Sequence, residues 1–234
     1  MSLNVNDAPT GGGSKFLAEV MDPGTYPGRL VHVIDLGIQK QDDYEGQKKD
    51  PAKMVNVTYE FSDEFMKDED GNELTDQPRF LSEMFNVFPL SSEKAKSTGR
   101  YLALDPNVEH GGDLSKLLGA PCLITVVNKE RKGKIYNNVG ALSAMRPKDA
   151  EKLPPLVKEP KLFDLDDPDL TVFLSLPDFI QEKIKQNMDF KGSALEALLD
   201  NHKPESKEDT SEGVRDVDDQ VEVGNDDSSD DEDW

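Results

Sequence analysis

Lys129, Arg131, Lys132 and Lys134 stand within the six residues KERKGK, and Tyr136 follows two positions later. In a chain with a formal net charge of -21, four cations so close together call for an explanation. A second group, Lys40, Lys48, Lys49 and Lys53, surrounds Tyr44 in QKQDDYEGQKKDPAK. Lysine and arginine suit a phosphate backbone, and an exposed aromatic ring stacks on an unpaired base for about 1–3 kcal/mol. The two groups therefore carry the chemistry of single-stranded nucleic acid binding. Phe80, Phe85 and Phe88 in PRFLSEMFNVF are further stacking candidates, and alternation alone does not say which of them faces outward. A strand phenylalanine is ordinarily core, whereas the polar end of a tyrosine tolerates exposure beside loop cations.

The acidity lies elsewhere. Residues 203–234 hold 14 Asp and Glu against three Lys and Arg, while residues 24–147 are nearly balanced at 19 against 16. The chain ends in NDDSSDDEDW, whose last residue is its only tryptophan. Low apolar content and high charge predict a disordered tail. Such a polyanion imitates the ligand: it would occupy a cationic groove when DNA is absent and leave when DNA binds. Asp230, Asp231, Glu232, Asp233 and Trp234 would then meet a partner, the indole entering a basic-rimmed apolar pocket while the acids speed encounter.

Other chemistries lack their residues. His32, His110 and His202 fall in a strand, a glycine-rich loop and the start of the tail, with no paired motif, so no catalytic site and no enzyme is expected. One cysteine, Cys122 in PCLITVV, excludes an intramolecular disulfide and reads as a buried hydrophobe. Zinc spacing is missing, DEDGNE lacks the ligand order of a calcium loop, and GGGSK lacks phosphate-loop spacing, so no metal or cofactor is expected. No run reaches the roughly 18 apolar residues of a membrane span. MSLNVNDAPTGGGSK has neither the basic start nor the apolar run of a signal peptide, so the expected place is the cytoplasm.

The elements that must hold the cations follow from periodicity. Residues 1–23 read as a flexible leader. YPGRLVHVIDLGIQK reads as a first strand, with Leu30, His32, Ile34 and Leu36 on one face. In the second, Val55, Val57, Tyr59 and Phe61 alternate with Met54, Asn56, Thr58 and Glu60, and the latter set should face solvent or ligand. A turn at Asp70-Gly71-Asn72 leads to the third strand in PRFLSEMFNVF. SSEKAKSTGRYLAL predicts a helix capped by Ser91 or Ser92, and DLSKLLG another, capped by Asp113 and stopped at Gly119. APCLITVVNKE and KIYNNVGALSAM form a final hairpin around RKGK.

Three strands, a helix and two strands are the order of a five-stranded Greek-key barrel of the OB-fold kind, over residues 24–147, and other small barrels share it. Its ligand face is flanked by the loops between strands one and two and between strands four and five, where the cations lie. Residues 148–202 read as a proline-rich linker and an amphipathic helix with Phe179, Ile180, Ile184 and Met188 on one stripe. This extension should pack on the barrel or on a second copy of the chain, which would make a homodimer.

In element order and tail chemistry the chain resembles the bacteriophage single-stranded-DNA-binding replication proteins. GAPCLITVVNKERKGKIYNNVGALSAM and LPDFIQEKIKQNMDFKGSAL resemble segments of those proteins as well. The resemblance implies protection of transient single strands during replication and recombination in an infected bacterium, with contacts to a polymerase, helicase or primase through the tail. The family's tail commonly ends in phenylalanine, where this chain has Trp234. The competing reading is an acidic interaction protein, a virion component or DNA mimic, in which the barrel is only a scaffold. Eight cations in two barrel loops argue against it.

Overall fold

A computed structural model describes residues 19–43 and 46–202, and over these the chain is mainly β. Strands β1 (Gly24–Gln39), β2 (Ala52–Lys67) and β3 (Glu73–Asn86) form an antiparallel meander. Helix α1 (Lys96–Leu104) and a 3-10 turn (Leu114–Leu117) lead to the hairpin of β4 (Pro121–Arg131) and β5 (Lys134–Ala144). The sheet order is β3-β2-β1-β4-β5. A short strand, β6 (Lys161–Phe163), joins the same sheet in parallel with β1. Helices α2 (Pro147–Ala150), α3 (Leu170–Leu174), α4 (Asp178–Lys185) and α5 (Ala194–Asn201) complete the described chain.

No hydrogen-bonded ladder joins β3 to β5, so the sheet is open where a closed barrel was expected. Helix α1 spans the opening. Its Arg100 donates to the Glu83 carboxylate of β3 at 2.7 and 3.1 Å and reaches the β5 carbonyls of Val139 and Gly140 at 3.4 Å. One buried side chain thus connects the two strands that no ladder joins.

Alternation holds well in β2 and fails in β1. Val55, Val57, Tyr59 and Phe61 all enter the inner core, with Phe85, Ile124 and Tyr101. In β1, Leu30 and Val33 share that inner core, while Ile34 and Leu36 enter a second core on the opposite face. The register shifts between Leu30 and His32, and the extra residue exchanges the faces of the residues that follow, as far as a second shift between Asp35 and Gly37.

The second core corrects the expectation for the other face of β2. Met54, Asn56, Thr58 and Glu60 are buried. Residues 148–202, expected as a linker and one helix, fold back over this face of the same chain. Met54 packs with Phe163, Phe173, Ile180 and Ile184. Glu60 accepts the backbone amides of Val157 at 2.7 Å and Lys158 at 3.0 Å. On α4 only Ile180 and Ile184 of the expected stripe are buried, and Phe179 and Met188 are exposed.

The extension is latched at Gly37, which has a φ of 73°. Asn187 accepts the Ile38 amide at 2.8 Å, and Met188 donates to the Ile38 carbonyl at 2.9 Å. A Cβ at position 37 would run into the Asn187 side chain, so only glycine allows this approach.

The helix expected from Ser91 or Ser92 begins later, at Lys96, with Ala95 as an N-cap that makes no side-chain bond. Ser97 instead accepts the Phe88 amide at 3.0 Å. Asp113 caps as expected, accepting the Ser115 amide, but what it opens is a 3-10 turn. Cys122 is buried, and that burial pushes its thiol up to about 12.

Candidate nucleic-acid interface

The β4–β5 hairpin brings one cation group together. Its cross-strand pairs are Val127 with Asn138, Lys129 with Tyr136, and Arg131 with Lys134. Cys122, Ile124 and Val126 point into the inner core, so by the period of two Lys129 and Arg131 lie on the outward face with Tyr136 and Lys134. Tyr136 is 43% exposed. Lys132 and Gly133 close the hairpin with φ of 50° and 75°, the left-handed pair whose twist matches the flanking strands.

The hairpin's inward face is anchored. The Asn137 amide donates to Asn128 at 2.7 Å and to the Met21 carbonyl at 2.9 Å, and its oxygen accepts the Met21 amide at 2.9 Å. Met21 is itself buried in the inner core. These bonds hold the base of the hairpin, so its outward cations and ring project from a fixed support. A cationic strand face with an exposed ring directly opposite a lysine suits a phosphate backbone and a stacked base.

The other group is less uniform. Lys40, Lys48 and Lys49 are exposed in the β1–β2 loop. Lys53 is bonded at 2.9 Å to Asp35. Burial by itself would lower its pKa, but the Asp35 hydrogen bond and charge, with Asp164 and Asp166 farther off, leave it raised. The Asp35 ion pair therefore engages its charge, while half of the Lys53 side chain stays in solvent. Tyr44 lies outside the described residues, and so do Asp230, Asp231, Glu232, Asp233 and Trp234.

The two groups do not merge into one patch by register. Val126 pairs with Gly24, so the β4–β5 tip lies beyond the start of β1, while the β1–β2 loop lies beyond its end at Gln39. A straight β1 of 16 residues would separate them by about 50 Å, and its bulges bend the strand.

Among the phenylalanines, Phe85 is core, and Phe80 and Phe88 are exposed. Phe80 pairs with Glu60 and shares a groove of about 430 Å³ with Arg79 and Lys158. Sequence reading missed both cations. Once Phe85 is placed inside, the period of two turns Phe80 outward, but nothing local to Lys158 connects it with β3.

Of the histidines, His32 is half-buried, and burial, with help from Lys161, lowers its pKa. Among the described residues, no His, Cys, Asp and Glu group is placed to hold a metal ion. No helix among them is long and apolar enough to cross a membrane. No protein-family model matches the sequence, and no curated protein matches it.

Proposed function

We propose that this protein is a non-enzymatic, sequence-independent single-stranded-DNA-binding protein acting in phage DNA replication and recombination within the infected bacterial cytoplasm. The observation that carries the reading is the outward hairpin face, where Lys129, Arg131 and Lys134 accompany the exposed Tyr136. Cations of this kind bind phosphate without reading sequence, and a ring accepts any base. The fold belongs to the same reading: β1 to β5 form an OB-like Greek-key half-barrel, its seam bridged by α1 instead of a strand ladder. A strand crossing from the hairpin toward Lys40, Lys48 and Lys49 engages both loops. The acidic tail competes for this surface, and its terminal Trp234 recruits a polymerase, helicase or primase. A homodimer is compatible with this arrangement.

Two observations favour a second reading, an acidic interaction protein with a scaffold barrel. The extension covers the β2 face that was expected to meet ligand, and Lys53 is paired with Asp35. A fluorescence titration of the full chain with a labelled oligothymidine, beside a duplex of equal length, separates the two. Single-strand preference, falling with salt, supports the binder. Equal or negligible affinity for both supports the scaffold.

A further inference from the structure

We infer that Phe80 floors a second base-binding site, on β3 and apart from the hairpin, which takes one unstacked nucleobase with its phosphate beside Lys158 and Arg79. The inference rests on the single-strand reading above and adds a site to it. The β2–β3 ladder is interrupted between Glu60 and Met66, where register shifts flank the Phe65 pair with Pro78. Beside this interruption lies an open groove of about 430 Å³, lined by Met66, Asp76, Gln77, Pro78, Arg79, Phe80 and Lys158. The volume exceeds what a single base needs. Its apolar surface comes from Phe80, Met66 and Pro78, and Phe80 is 39% exposed on the outward face of β3. A flat ring left partly in water, among groups that could hold a charged neighbour, is suited to stacking.

The polar groups distinguish a nucleotide from a purely apolar occupant. Lys158 donates one proton to the Asp76 carbonyl at 2.9 Å, and its ammonium carries two more. Arg79 bonds the Glu19 carbonyl through one guanidinium nitrogen, which leaves donors on the others. Glu60, the nearest cross-strand acid to Phe80, is occupied by the Val157 and Lys158 amides. Asp76 also lines the groove, and because its carbonyl holds Lys158 its carboxylate works against a phosphate there, an opposition the Arg79 guanidinium offsets, while Gln77 offers hydrogen-bonding groups to a base edge. Phe88 also exposes its ring, but it lines neither this groove nor the one bounded by Pro27 and Leu123.

The test uses the full chain and a labelled oligothymidine. Phe80→Ala should weaken binding by about 5- to 150-fold, the value of one stacked base. Its salt slope should stay at the parent's, because every cation is retained. Phe80→Tyr should bind like the parent. If Phe80→Ala melts early, Phe80→Trp in a Trp234→Phe chain gives the second readout: its sole indole should be quenched as the oligonucleotide is added. Parent-like affinity for a well-folded Phe80→Ala, or an unquenched indole at position 80 under saturating DNA, overturns the site while leaving the hairpin reading intact. A parent chain that binds no single strand removes both.

Discussion

The Arg100 guanidinium lies 2.7 Å from the Glu83 carboxylate, and both side chains are more than nine-tenths buried. Tyr59 and Lys96 bond the same carboxylate, each at 3.0 Å. Glu83 belongs to β3, and Arg100 also reaches the β5 carbonyls, so this pair spans the two edges that leave the sheet open. Burial, then the Glu83 charge, raises the Tyr59 pKa well above its ordinary value. The tyrosine therefore stays a donor.

Truncating Arg100 removes the buried one of the two cations on the Glu83 carboxylate and leaves it only the half-exposed Lys96. Arg100→Ala should cost about 3–5 kcal/mol of folding stability, measured by urea denaturation. Arg100→Met with Glu83→Leu should recover only part of the loss, because no buried charge is then left unpaired but the buried Tyr59 hydroxyl loses its acceptor. A loss under about 1 kcal/mol for Arg100→Ala would show that the pair does not hold the seam.

Replacing Lys129, Arg131, Lys132 and Lys134 together with Ala should weaken single-strand binding without changing the melt. The slope of log affinity against log salt should flatten by about 0.7 for each phosphate that is no longer neutralised. The parent's slope in a normally folded variant would place the DNA elsewhere.

Asp105 sets an acid limit. Burial opposes its charge, but the His110 and Glu109 amides and the Tyr101 hydroxyl donate to it, and its pKa falls to about 2. A depressed carboxyl contributes stability that is fully present above its unfolded value, about 3.9, and is lost as pH falls through the folded value. Thermal melts of the parent and Asp105→Asn should show their full carboxylate-linked difference at about pH 5. That difference should shrink between about pH 4 and pH 2. A gap independent of pH throughout this window would contradict the assignment.

Deleting residues 203–234 should tighten single-strand binding, most clearly at low salt, because a tethered polyanion competes at an effective concentration on the order of millimolar. Trp234→Ala should leave DNA affinity nearly unchanged and weaken capture of a polymerase or helicase. Paired titration and pull-down measurements check both halves. Unchanged DNA affinity on deletion would remove the competition.

Much of this protein was legible in short stretches of its sequence, because the determining physics is local. The period of two in Val55, Val57, Tyr59 and Phe61 marks a core-facing strand before any partner is known. Lys132-Gly133 closes a hairpin because a glycine adopts positive φ without strain, and that turn aligns the cations flanking it. Asp113 caps its turn through a bond only two residues long. What tertiary structure decided involves residues distant along the chain. A bulge exchanges the faces of β1, and no local pattern announces it, since both faces are apolar. The outer side of β2 is polar enough at Asn56, Thr58 and Glu60 to read as a solvent or ligand face. It is buried because Val157 and Lys158 bring their amides to Glu60 and the helices of the extension cover Met54. Arg100 became the bridge across the open seam, and Lys158 a neighbour of Phe80, only when the folded backbone set them there.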